Sequence, residues 1–150
     1  MFDLEIYTDK LADSGRRVIR KAYVEATSRD HNQVAPEHLL ISIAEVERPI
    51  FNEVMQSLNL EPQVVLQGLE TKLGQGEYLG LGMKLSESCR TLLSNALKHA
   101  HERGRRNMAS TDLFVALFKD RHSIPVKLLK HLGADRELVI QKIETRVRSH

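Results

Sequence analysis

Seven histidines and one cysteine are the strongest metal-binding and nucleophilic candidates in this chain, and their spacing argues against both uses. A zinc-binding helix carries His-Glu-x-x-His, which puts two imidazoles on one face. His99 and His101 are two residues apart and diverge on a helix, and no His-Glu-x-x-His occurs. The histidines therefore read as solvated side chains. Cys89 falls on the apolar side of a helical pattern, where a thiol acts as a small hydrophobe; a lone cysteine excludes an internal disulfide and fits a reducing compartment. Ser14, Ser88 and Ser110 stand at helix starts, with no partners arranged for a triad. No catalytic residue, metal or cofactor is expected.

Two further features suggest chemistry less strongly. The stretch from Gly74 to Met83 holds four of the eight glycines, but a phosphate-binding loop needs Gly-Lys-Ser/Thr after a strand; here Met83 separates Gly82 from Lys84. It reads as an exposed, flexible connection. Arg103, Arg105 and Arg106 follow one helix, and Arg16, Arg17, Arg20 and Lys21 lie on another. Cations near a helix C-terminus are favourable without a ligand, and no aromatic residues are interleaved, so nucleic-acid binding is only a distant alternative.

The elements that would position any site come from a duplication. Residues 10–76 match residues 84–150 at a constant offset of 74, without gaps, through pairs such as Leu11/Leu85, Ala22/Ala96, Ala26/Ala100, Leu39/Leu113 and Leu58/Leu132. A repeat sets the architecture ahead of local propensity. Val18, Ile19, Ala22, Tyr23 and Ala26 recur at helical spacing, as do their mates. The paired alanines let another helix cross closely. A second helix begins near Pro36, with its mate near Ser110 as N-cap. A third runs from about Ile50 to Leu58 and from about Ile124 to Leu132, closed by Asn59 and Gly133 as left-handed caps. A fourth carries Val65 and Leu69, matched by Val139 and Ile143. The expectation is all-α: eight helices as two tandem, pseudo-twofold four-helix repeats, at about 10–73 and 84–148, joined by a linker at 74–83.

Composition agrees with one domain. At 150 residues and 41% hydrophobic content the chain fills one core, and half of it would be marginal alone. A net charge of +2 with 28% charged residues points to neither nucleic acid nor membrane. The start Met-Phe-Asp-Leu-Glu lacks a basic region, and no apolar run reaches membrane-spanning length. A cytoplasmic location is expected.

The doubled arrangement resembles the N-terminal domain of Clp unfoldases, the ring-forming AAA+ chaperones and protease partners. The resemblance is carried by Pro36-Glu37-His38-Leu39-Leu40-Ile41-Ser42-Ile43 in the first repeat. In the second it is carried by Lys84-Leu85-Ser86 with Leu92-Leu93, then by Ser110-Thr111-Asp112-Leu113-Phe114-Val115-Ala116-Leu117. It implies an accessory domain that sits on a Clp ATPase ring and captures unfolded substrates or adaptor proteins. A free-standing regulatory subunit that docks onto such a ring is the alternative. The phosphate-binding motif of the ATPase is absent from these residues.

The resemblance also implies a pocket. In some relatives the starts of the first and second helices of each repeat hold phosphorylated arginine, a hydroxyl and backbone N–H groups taking the phosphate and a glutamate the guanidinium. Here the first repeat keeps Glu37 but has Ala12 in place of the hydroxyl. The second keeps Ser86 but has Thr111 in place of the acid, with Asp112 about 100° further round the helix. Two half-equipped pockets are expected, hence weak phosphoarginine binding, with recognition carried instead by Leu11, Leu85 and Leu113 beside the helix starts.

Overall fold

The computed structural model describes residues 8–76 and 83–149. After a 3-10 turn at Thr8–Lys10, the first repeat holds α1 (Asp13–Ser28), α2 (Pro36–Val46), α3 (Arg48–Ser57) and α4 (Pro62–Leu73); a two-residue strand, β1 (Gln33–Val34), precedes α2. The second repeats the helix order with α5 (Glu87–Glu102), α6 (Ser110–Leu117), α7 (Ile124–His131) and α8 (Arg136–Ser149), but its two-residue strand, β2 (Lys84–Leu85), precedes α5, the mate of α1. The eight helices are the two tandem four-helix repeats that the offset implies. Asn59 and Gly133 end matched helices at positive φ, 60° and 102°, as their chemistry predicts. Ser110 is not the N-cap of α6; Ala109 is, and Ser110 is its first helical residue.

Ala22 and Ala26 of α1 are both fully buried, and one turn before Ala22 the Ser42 hydroxyl of α2 donates to the Val18 carbonyl at 2.5 Å. The core is continuous across the repeats. Phe51 of α3 stacks on Phe114 of α6, centroids 6.3 Å apart, and Phe114 in turn meets Phe118. Burying a phenylalanine is worth about 1.5–3 kcal/mol, so this contact ties the halves together through their largest apolar side chains.

A second tie is made by backbone, and the repeat alone does not reveal it. β1 pairs in parallel with β2, Gln33 beside Lys84 and Val34 beside Leu85. At the matched place Leu11 bridges Met108. The strand that leads into α2 therefore lies against the segment that leads into α5, and the segment before α6 lies against the one before α1. The repeats exchange partners.

The linker is held at both ends. Gly76 donates its N–H to the Arg29 carbonyl at 2.8 Å, and a Cβ there would meet the Asp30 carbonyl at 2.7 Å and the His31 ring. Met83 is buried. Gly74 and Gln75 are exposed, and the remainder of the expected flexible connection, residues 77–82, lies outside the described residues.

Three histidines are interior, against the expectation that they are solvated. In the first repeat His38 caps α2: the Ala35 N–H donates to its Nδ1 at 2.8 Å, so its Nε2 carries the proton and donates to His31 Nδ1, also at 2.8 Å. In the second repeat Asp112 takes the place of His38 and Arg105 that of His31. Arg105 grips the Asp112 carboxylate with two bonds of 2.8 and 2.7 Å, His99 approaches at 2.6 Å, and the Ala109 N–H donates at 2.8 Å. Around these, Arg29 pairs with Glu25 and reaches Glu70 at 3.4 Å, while Arg103 pairs with Glu144 at 2.6 Å. One polar clasp is built twice with different residues.

Candidate binding junctions

The exchange of partners changes which residues can form a pocket. The start of α5, with Ser86, meets the start of α2, with Glu37; the Ser86 N–H donates to the Val34 carbonyl at 3.0 Å. The start of α1, with Ala12, meets the start of α6, with Thr111; the Ala12 N–H donates to the Met108 carbonyl at 2.8 Å. The expectation that each repeat pairs its own two helix starts is corrected. The retained acid and the retained hydroxyl fall at one junction, and both departures fall at the other.

At the α5–α2 junction the Ser86 hydroxyl caps α5, accepting the Cys89 N–H at 3.1 Å. The helix N-terminus behind it favours an anion. Glu37, in the first turn of α2, is buried at 8% exposure, and burial holds its carboxyl above the usual carboxylate range. No described side chain forms an ion pair with Glu37 or donates to its carboxylate. The Cys89 thiol is pushed up to about 12, chiefly by burial and in part by the charge of Glu37, which places carboxylate and thiol in one low-dielectric neighbourhood. A thiol held there is inert, in keeping with its reading as a small hydrophobe.

The α1–α6 junction is closed by its own side chains. The Ser14 hydroxyl accepts the first N–H of α6, from Ser110, at 2.9 Å. Gly15 lets the Met108 carbonyl lie where a Cβ would stand. At the matched place in the other junction Pro36 has no N–H to offer. One junction is equipped and the other is plugged.

The remaining site candidates are corrected by their surroundings. Asp112 is fully buried and spends its carboxylate on Arg105, His99 and the Ala109 N–H, so it is a structural group. Leu11, Leu85 and Leu113 are buried at 3%, 1% and 0% exposure and belong to the core, not to an apolar recognition surface. Two of the three arginines of the second-repeat cluster, Arg103 and Arg105, are engaged in ion pairs with Glu144 and Asp112, whereas Arg16, Arg17 and Arg20 of α1 line one open surface pocket. No group of three or more metal-ligating side chains occurs among the described residues. None of their helices is long and apolar enough to cross a membrane.

The family model for the Clp repeat (R) N-terminal domain matches residues 10–132, and the chain belongs to that family. The ClpC/MecB negative regulator of genetic competence from Bacillus subtilis is 17% identical over 134 residues, 89% of this chain but 16% of the relative. The chain thus spans about a sixth of that relative's length. The Hsp104 N-terminal domain from Candida albicans superimposes with a TM-score of 0.78 at 14% identity, covering 89% of both chains. The ClpV N-domain in complex with a VipB peptide superimposes with a TM-score of 0.71 at 19% identity, covering 93% of this chain and 92% of that one. The matched family is that of a Clp N-terminal repeat domain.

Proposed function

We propose that this domain captures segments of unfolded substrates or adaptor proteins at the α5–α2 junction, for delivery to a Clp ATPase ring in the cytoplasm. The observation that carries the reading is Glu37: a carboxylate buried without a cation is costly, and an arriving guanidinium offsets that cost. A phosphorylated guanidinium would add contacts at the Ser86 hydroxyl and the α5 N-terminus, so the cross-repeat pairing removes the argument for weak phosphoarginine binding. Peptide capture by a domain of this fold is supported by the VipB complex of ClpV.

Calorimetric titration with a phosphoarginine peptide, an arginine peptide and a phosphoserine peptide tests it. One molecule of phosphoarginine peptide should bind per chain, and Glu37→Ala should weaken binding roughly tenfold or more, the scale of a lost charge-assisted pair. Thr111→Ala should change nothing. Two equal sites, or a Glu37→Ala variant that binds as well as the parent, would refute the assignment.

A further inference from the structure

A groove of about 360 Å³ opens between α4 and α7, lined by Lys72, Ile124, Lys127, Leu128 and His131. It shares no residue with the Ser86–Glu37 junction. Its floor is apolar, because Leu128 leans on Gly68 of α4, where a Cβ would meet the leucine at 2.9 Å. Its rim is basic: Lys72 and Lys127 are exposed, neither forms an ion pair with a described residue, and no acid is among the lining residues.

The pseudo-twofold mate of this groove, between α3 and α8, shows what a closed version is. There Lys127 is replaced by Glu53 and Lys72 by Arg146, which face each other at 3.9 Å as opposite charges. Val54, the mate of Leu128, is fully buried. One copy of the seam is bridged by its own charges, and the other presents two like charges over half-buried Ile124 and Leu128.

We propose that the α4–α7 groove docks an acidic amphipathic segment of a partner protein, a bulky apolar side chain entering between Ile124 and Leu128 and flanking Asp or Glu residues meeting Lys72 and Lys127. The eight residues of α7 span about 12 Å, room for roughly two turns of a bound helix. Self-association is disfavoured, since a twofold contact through this face would oppose two basic rims.

The probe is a fluorescein-labelled twelve-residue peptide with a Leu-Leu-Phe centre flanked by glutamates, titrated onto the 150-residue chain by anisotropy, with amide chemical shifts mapping the site. Saturable binding is expected, with shifts confined to the end of α4 and to α7. The double variant Lys72→Glu/Lys127→Glu should weaken binding at least tenfold, while Lys98→Glu/Lys119→Glu, of the same net charge, should leave it unchanged. No binding, equal loss in both double variants, shifts centred on the α5–α2 junction, or a dimer of the free chain that Lys72→Glu/Lys127→Glu dissolves would each overturn the proposal.

Discussion

His38 and Asp112 occupy the same position in the two repeats, and each accepts the backbone N–H of the alanine three residues before it, at 2.8 Å in both. An imidazole lone pair does on α2 what a carboxylate oxygen does on α6. Their outward partners differ to suit: neutral His38 donates to His31, whereas Asp112 receives two bonds from Arg105. The geometry of the clasp is shared, and its response to pH is not.

His38 should make the domain acid-sensitive above the usual carboxylate range. Burial first, then the charges of His31 and Arg29, lower its pKa from 6.5 to about 4. The unfolded chain then binds more protons than the folded one between these values, so the contribution of His38 is complete above about 6.5 and is lost as pH falls toward 4. At about 1.4 kcal/mol per pKa unit it is worth at most about 3 kcal/mol. His38→Asn, whose amide oxygen can still accept the Ala35 N–H, should flatten urea midpoints across this window. An unchanged slope would mean that His38 is not the titrating group.

Asp112 should be the costliest polar residue to remove. Asp112→Ala leaves the buried Ala109 N–H without its acceptor and frees Arg105, whose 38% exposed guanidinium water can solvate, so the loss is that of an unsatisfied donor and its charge-assisted bonds, about 2–3 kcal/mol. Chemical denaturation should show a loss of that size, or no folded state. The triple change Asp112→Leu/Arg105→Met/His99→Leu, which removes the charges together, should recover most of it.

The helices were legible in the sequence because each carries its own signal. Val18, Ile19, Ala22 and Ala26 mark the core face of α1, and Asn59 and Gly133 mark where helices must end. The exchange of junctions was not legible, because it depends on a pairing of two-residue strands, Val34 with Leu85, across 51 positions of sequence, and so short a segment has no periodicity. The interior histidines were missed for a related reason. The offset sets His38 against Asp112 and His31 against Arg105, pairs unlike enough to pass for surface drift. Their one signal in the sequence is the capping position, three residues after Ala35 and Ala109. Leu11, Leu85 and Leu113 stand beside the helix starts, but nothing in their spacing separates nearness to a pocket from exposure in it, and all three are buried.

Separating the halves should unfold both. Residues 1–76 alone lose the Phe114 stack against Phe51 and the β2 partner of β1, and a fragment of that size is marginal even with its core intact. Circular dichroism should show reduced helicity and no cooperative thermal transition. A fragment melting as sharply as the whole chain would show that the cross-repeat contacts are dispensable.

Glu37 should trade stability for binding. Its folded pKa lies above the ordinary carboxylate value because burial disfavours the charge. The folded state therefore holds the Glu37 proton more tightly than the unfolded chain, and the stabilisation from that proton is present at low pH and lost as pH rises through the folded pKa. Burial disfavours the ionised form in the folded state, so Glu37→Gln, with the same shape and no charge, should raise stability, and more so at the higher pH. The same variant should weaken binding of a phosphoarginine peptide at least tenfold, the loss of one charge-assisted pair. Urea denaturation at pH 5 and pH 8 checks the first half, with the gain of the variant larger at pH 8. Calorimetry checks the second. A variant less stable than its parent at both pH values would show Glu37 to be a structural anchor with a partner of its own, and the proposed capture of a guanidinium would lose its physical basis.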